Sequence, residues 1–365
     1  MTRNKKKSAQ RKSFNLRDAI NQVSTRCPIC CVLPPHMLEH IAQNGSSEQR
    51  EWAFHTLSIS AQFYGRRDVV GGIAFMAPAG EKRRTVYNAQ NGTELPGKLV
   101  RAEGDPATGD LMTDEAYDGA GATYDFYQEV FGRNSVDNNG LRLDSTVHYN
   151  TKYDNAFWNG SQMVYGDGDG KLFDRFTKSI DVIAHELTHG VTQHEAALAY
   201  SGESGALNES MSDVFGCLVK QRLNKQTAEQ ADWIIGEGLF TNQVKGVGIR
   251  SMKAPGTAYD DPVLGKDPQP AHMDKIYTGI RDNGGVHINS GIPNYVFYLV
   301  ATKIGGNAWE KAGKIWYTGL CKRIDSKATF KQAAETLIKV AGELYGDGGA
   351  EQKAVSEAWK EVGVL

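Results

Sequence analysis

The chain has 365 residues, a formal net charge of −2 and 40% hydrophobic residues, enough for about two domains and an appendage at ~150 residues per domain. Its interspersed charges give no electrostatic case for a nucleic-acid partner, and no apolar run approaches the ~18 residues of a membrane helix. Five cysteines, an odd number, argue against a disulfide scaffold.

Residues 1–12 are basic and polar, and residues 13–22 never build the apolar centre of a signal peptide, so synthesis in the cytoplasm without ordinary secretion is expected. The basic tail reads as a solvated arm; a nucleic-acid-binding module there would require strongly salt-dependent binding. Cys27, Cys30 and Cys31 crowd together just before Pro34-Pro35. They are either ordinary thiols or a C-x-x-C pair for metal or redox chemistry, with a thiolate reaching a catalytic zinc as a further elaboration. Cys217 and Cys321 sit in apolar helical contexts and read as core. Pro34 and Pro35 force extended backbone, and the helical pattern that follows over 35–42 carries Met37, Leu38 and Ile41 on a face able to dock. A second helical pattern covers 47–62, and a Gly-, Pro- and Arg/Lys-containing stretch over 65–84 reads as a linker.

From 85 to about 176 the signals are short β-runs, such as 146–149 and 162–165, with one helix near 116–130. Asp167-Gly168-Asp169-Gly170-Lys171 begins like a calcium loop, but Leu172 and Lys178 stand where the loop needs Gly and Glu, so a tight turn is expected. Beyond Ile180 the pattern is helical, with later segments at 292–303, 307–319, 329–345 and 348–362.

The chemistry is concentrated in His185-Glu186-Leu187-Thr188-His189. Residues four apart stack one turn apart on a helix, so both imidazoles can close on one zinc ion, with the intervening glutamate placed to take a proton from water. A third ligand is required. On the predicted helix over 205–216, Glu209 and Asp213 share a face: Glu209 can complete two-His-one-Glu coordination, and Asp213 can accept the second N–H of a ligand histidine. The competing account is a solvated acidic face with unrelated histidines.

With these residues in place, the chain resembles the thermolysin-like zinc metallopeptidases. The likeness runs from about Tyr87 to the C-terminus through N-A-F-W-N-G at 155–160, M-V-Y-G-D-G at 163–168, H-E-L-T-H, residues 205–216, Arg250-Ser251-Met252 and D-N-G-G-V-H-I-N-S-G at 282–291. Pro34-Pro35-His36-Met37-Leu38 resembles the short leader of the protealysin-like members. The resemblance implies an α+β fold of two lobes, β-rich then α-helical, with zinc at the junction. It also implies a propeptide over 1–68 (boundary between 45 and 84), a first catalytic lobe over 69–194 and a second over 195–365.

It further implies one catalytic zinc on His185, His189 and Glu209, with Asp213 and Asn208 behind the ligands and Glu186 as the base. His287 and Tyr200 would be donors to the oxyanion, with Asp282 orienting His287. Asn155 and Ala156 would hold extended substrate backbone, and Arg250 a carbonyl on the leaving side. Phe173, Phe176, Val182, Ile235 and Ile249 would form the pocket after the scissile bond, favouring cleavage on the amino side of bulky hydrophobic residues. The family's paired-calcium site would use Asp181, Asp232 and Glu237, but Lys220 and Ile234 occupy two further acidic positions, so paired calcium is in doubt. The expectation is a zinc endopeptidase acting on protein or peptide substrates and on its own propeptide, with no nucleic acid and no membrane. It would be made as a self-inhibited precursor that acts outside the cell by non-classical export. The alternative is a catalytically silent, zinc-stabilised binding protein, against which intact Glu186 and His287 speak.

Overall fold

The computed structural model describes residues 31–63 and 81–365; the basic tail, Cys27, Cys30 and most of the expected linker lie outside them. Helix α1 (Pro35–Asn44) starts where the sequence places it, with Pro34 extended and Pro35 in the first turn, where a missing N–H costs nothing. Its apolar stripe, Met37, Leu38, Ile41 and Ala42, is buried. Helix α2 (Ser47–Phe63) follows after Gly45. It is fastened to the body by Glu48, which pairs with Lys152 and Lys171, by Trp52 under the Lys152 ammonium, and by Ser60 bonded to Tyr153 at 3.1 Å.

The first lobe is a five-stranded mixed sheet with one long helix against it. Strands β1 (Arg84–Asn88), β2 (Lys98–Ala102), β3 (Leu143–Val147), β4 (Ala156–Trp158) and β5 (Met163–Tyr165) lie in the order β2-β1-β3-β5-β4. The central pairs β1–β3 and β3–β5 are parallel and the outer pairs antiparallel, which leaves β4 at one edge. Helix α3 (Leu111–Phe131) begins earlier than the hydrophobic pattern suggests, because Asp110 caps it by accepting the Met112 N–H. The Asp167–Lys171 stretch is the expected turn, with Asp169 Oδ1 accepting three successive N–H groups from Lys171, Leu172 and Phe173.

Helices α4 (Ile180–His194) and α5 (Gly202–Leu223) form the floor between the lobes. Helix α5 is longer than its motif and buried on nearly every side, as a central core helix must be. The two approach closely at Gly216, where a Cβ would stand 2.6 Å from the Asp181 carbonyl oxygen. Small hairpins β6 (Ile234–Ile235) with β7 (Arg250–Ser251), and β8 (Asp260–Asp261) with β9 (Gly265–Lys266), come next. The second lobe is then built from α6 (Asp282–Asn289), α7 (Gly291–Ile304), α8 (Ala312–Lys322), α9 (Phe330–Tyr345) and α10 (Ala350–Glu361). Of the four late helices expected, one is misplaced at its start: 307–311 is turn, closed by the Glu310 N–H on Asn307 O, so the helix begins at Ala312.

Candidate active site

His185 and His189 lie one turn apart on α4, both buried, with their Nε2 atoms 3.0 Å from each other. Glu209 of α5 sets Oε2 at 3.5 Å from His185 Nε2 and Oε1 at 3.5 Å from His189 Nε2. The outer ring nitrogens are already engaged. His185 Nδ1 donates to Asp213 at 2.8 Å, and His189 Nδ1 donates to Asn208 at 2.8 Å, with Ser212 Oγ also at 3.0 Å. Both Nε2 atoms therefore present lone pairs to the carboxylate, in a region without water contact. Three electron-rich groups converging there repel one another unless a cation lies between them, and Glu209 Oε2 has no hydrogen-bond partner. Two imidazoles and a carboxylate fit zinc and leave a coordination position open for chemistry. Among the described residues this is the only such cluster, its ligand atoms within 4.8 Å of one another.

Glu186, between the histidines, is fully buried and outside that cluster; its Oε2 accepts the Trp158 N–H at 2.9 Å. Burial, reinforced by the nearby Glu209 charge, raises its pKa well above the usual carboxylate range. On the opposite side stands His287. A left-handed turn through Asn283, Gly284 and Gly285 folds Asp282 back so that its carboxylate takes both the His287 backbone N–H, at 2.8 Å, and Nδ1–H, at 2.6 Å. A side chain at Gly285 would stand 2.5 Å from the Tyr277 ring, so glycine is needed there both for its φ of 80° and for space. Burial works against charge on His287, but Glu209 and Asp282 together raise its pKa to about 9. Its Nε2 donates to the Cys31 carbonyl at 3.1 Å and lies 3.2 Å from Tyr200 Oη, which itself donates to Glu209.

Asp213 is a shared anchor. Beyond His185 it takes two N–H groups from Arg250, at 2.8 and 2.7 Å, and one from Asn294 at 2.8 Å. Burial would raise its pKa, yet Arg250 and His185 hold it far below the ordinary value.

These features recur in known proteins. Residues 75–193 match the thermolysin metallopeptidase catalytic domain and residues 196–364 the alpha-helical domain of the same family. The chain belongs to the thermolysin metallopeptidase family. It is 52% identical over 342 residues to a protein named extracellular metalloprotease from Pectobacterium carotovorum subsp. carotovorum, covering 92% of this chain and 97% of that one. It is 43% identical over 288 residues to a thermolysin from Alicyclobacillus acidocaldarius subsp. acidocaldarius, covering 76% of this chain and 50% of that one. The structure of the precursor of protealysin, a metalloproteinase from Serratia proteamaculans, superimposes with a TM-score of 0.86 at 52% identity, covering 92% of this chain and all of that one. The chain is accordingly a zinc metalloendopeptidase carrying a propeptide.

In this thermolysin-family chain the remaining expected residues fall as follows. Phe173, Phe176, Val182, Ile235 and Ile249 are all buried in one apolar cluster. Asn155, Ala156 and Arg250 all hold the propeptide segment that begins at Cys31. The Cys31 thiol is not directed at the histidines: its side chain packs with Ile59, Tyr149, Tyr153, Phe157 and Val164, and only its carbonyl faces the site. Thiolate capping by Cys31 is thereby replaced by a main-chain contact. Asp181, Asp232 and Glu237 gather around Lys220, whose Nζ donates to Asp232 at 2.8 Å and to the Ile234 carbonyl at 2.6 Å, with Asp181 at 3.2 Å. The ammonium thus supplies a positive charge to all three carboxylates. Sequence reasoning missed Val32 and Leu33, the Trp158 amide, Ser212, Asn294 and His36. The apolar run Val32-Leu33 ahead of Pro34 was the one available hint.

Proposed function

We propose that this endopeptidase cleaves on the amino side of bulky apolar residues and is held inactive by its own propeptide. The observation that carries the reading is the convergence of a two-His-one-Glu cluster, Glu186 and His287 on one point, with propeptide backbone laid across it. His185, His189 and Glu209 would hold the zinc. When bound, zinc supplies Lewis acidity that polarises water and the scissile carbonyl. Glu186 takes the proton of the attacking water and delivers it to the leaving amine. His287, charged and oriented by Asp282, and Tyr200 donate to the oxygen that gains negative charge. Asn155, Ala156 and Arg250 bind substrate main chain, Arg250 being held rigid by Asp213. The pocket of Phe173, Phe176, Val182, Ile235 and Ile249 favours an apolar side chain by ~1.5–3 kcal/mol of burial.

The three parts would be the propeptide over 1–68, the first catalytic lobe over 69–194 and the second over 195–365, with the leader anchored by Pro34, Pro35 and Leu38. The extracellular relative supports action outside the cell. The deciding experiment is casein hydrolysis by the purified chain with and without chelator, followed by N-terminal sequencing of the active species. Hydrolysis that survives complete zinc removal would sink the reading.

Lys220 would stand in for paired calcium. Lys220→Met leaves the buried Asp181 facing Asp232 without a counter-charge, so a loss of about 3–5 kcal/mol is expected. Thermal unfolding measures it, and a variant melting at the parental temperature would remove Lys220 from this role.

Propeptide docking should also weaken in acid. His36 is partly buried against Tyr259, its Nε2 3.0 Å from the hydroxyl. Burial lowers its pKa to about 4; Asp282 opposes this, while His287, His40 and Arg250 add to it. The undocked leader takes up this proton near pH 6.5 and the docked one only near 4. Docking is therefore full above pH 6.5 and weakens, by up to about tenfold per pH unit, as pH falls between the two. Glu39, whose pKa burial raises, works in the opposite direction. His36→Gln should flatten the pH dependence of leader-peptide affinity for the catalytic domain, and equal slopes in parent and variant would contradict it.

A further inference from the structure

Cys31, Val32 and Leu33, each at most 4% exposed, run as an added strand along the edge of β4. Cys31 bridges Phe157 in antiparallel sense. The Val32 N–H donates to Ala156 O at 3.3 Å and the Leu33 N–H to Asn155 Oδ1 at 3.0 Å, while Arg250 Nη1 donates to Val32 O at 3.0 Å. These contacts give the strand an antiparallel direction along β4. One carbonyl of this stretch, that of Cys31, meets His287 Nε2, in the corner shared with Tyr200 and Glu209. The amide on the other side of the same peptide group, Val32 N–H, faces Glu186.

We propose that the Cys31–Val32 peptide bond occupies the reactive position of the site, so that the propeptide inhibits as a docked substrate whose bond the enzyme itself cuts. The inference rests on the endopeptidase reading above and adds the bond and its register. The carbonyl lies against the donors that an oxyanion would use, and the amine that would leave lies against the group that would protonate it. Side-chain packing agrees. Cys31 packs among Tyr149, Tyr153 and Phe157, whereas Val32 turns into the main apolar cluster that contains Phe173, Val182 and Ile235. Val32 is thus the apolar residue just after the cut. Hydrolysis consumes one water, leaving a carboxylate on Cys31 and an amine on Val32 that is protonated to ammonium. The new terminus does not depart, because Val32 remains tied through Pro34-Pro35 to α1, whose Met37, Leu38 and Ile41 are buried. Re-formation of the bond therefore competes with loss of residues 1–31, and the cut leader continues to block the cleft.

The test follows the full-length, zinc-loaded chain by intact mass and N-terminal sequencing from the moment zinc is added. A species beginning at Val32 is expected before any species beginning beyond Gly45, at a rate independent of protein concentration. Casein hydrolysis in the same sample, with the 31–32 bond intact in every fragment, would overturn the proposal while leaving the endopeptidase reading standing; absence of both would sink that reading instead. A second readout needs no turnover. In the Glu186→Gln chain the Leu33 amide should be protected from hydrogen exchange. Adding Val32→Asp should speed its exchange at least about tenfold, since a charge cannot enter that buried position unpaired, and Val32→Leu should keep it slow. Unchanged exchange in the Asp variant would show that residue 32 does not hold the register.

Discussion

Glu186→Gln is expected to keep its zinc and lose peptide hydrolysis by about 10²–10⁴-fold, the range attributable to a positioned general base. Glutamine has the shape of glutamate, and its side-chain oxygen can still accept the Trp158 N–H that now orients Glu186 at 2.9 Å. What it cannot do is take a proton. The metal cluster does not include residue 186, and each ligand histidine keeps its own partner, Asp213 or Asn208, so metal content by atomic absorption should match the parent. The propeptide should likewise stay docked, since Arg250, Ala156 and Asn155 supply its main-chain bonds. Cleavage within tenfold of the parent would remove Glu186 from the role of base. Loss of zinc together with activity would make it a structural support of the site instead.

What could be read in the sequence follows from which contacts are local. His185 and His189, and separately Glu209 and Asp213, are four residues apart, so helix geometry alone puts each pair on one face. Pro34-Pro35 and the stripe of Met37, Leu38 and Ile41 likewise announced a docked helix. The contacts that complete the site are distant in the chain and have no local signature. Arg250 reaches Asp213 across 37 residues because the β6–β7 hairpin turns it inward, and two-residue strands leave no periodicity to detect. His287 meets Asp282 only because four consecutive positive-φ residues, Asp282 to Gly285, reverse the chain. Cys31 is the instructive case. Its spacing from Cys27 and Cys30 drew attention to sulfur, yet addition to the edge of β4 sends the thiol into an aromatic cluster and presents the carbonyl. Strand pairing decided which group faces His287, and pairing partners are invisible in a segment of three residues.

His287→Ala is expected to lower kcat by about 10²–10³-fold with KM little changed, the size measured when a preorganised donor to an oxyanion is removed from comparable hydrolases. The direction follows from the hydrogen bonds. A carbonyl can only accept, so Nε2 must carry a proton to bond Cys31 O at 3.1 Å; Nδ1 keeps its own proton and donates it in a hydrogen bond to the Asp282 carboxylate at 2.6 Å, so the ring is an imidazolium. Against a neutral ground-state carbonyl such a donor contributes a modest amount, about 1.5–3 kcal/mol for a charged hydrogen bond. Against an oxygen acquiring full negative charge in a buried site it contributes more, and that excess lowers the barrier. Tyr200 approaches the same point and should sustain the residual rate. Asp282→Asn keeps the turn but weakens the pull on the Nδ1 proton, and should fall between parent and His287→Ala. A rise in KM with kcat unchanged would assign His287 to binding the substrate before reaction. A kcat that Asp282→Asn leaves untouched would show that the carboxylate sets the turn without charging the ring.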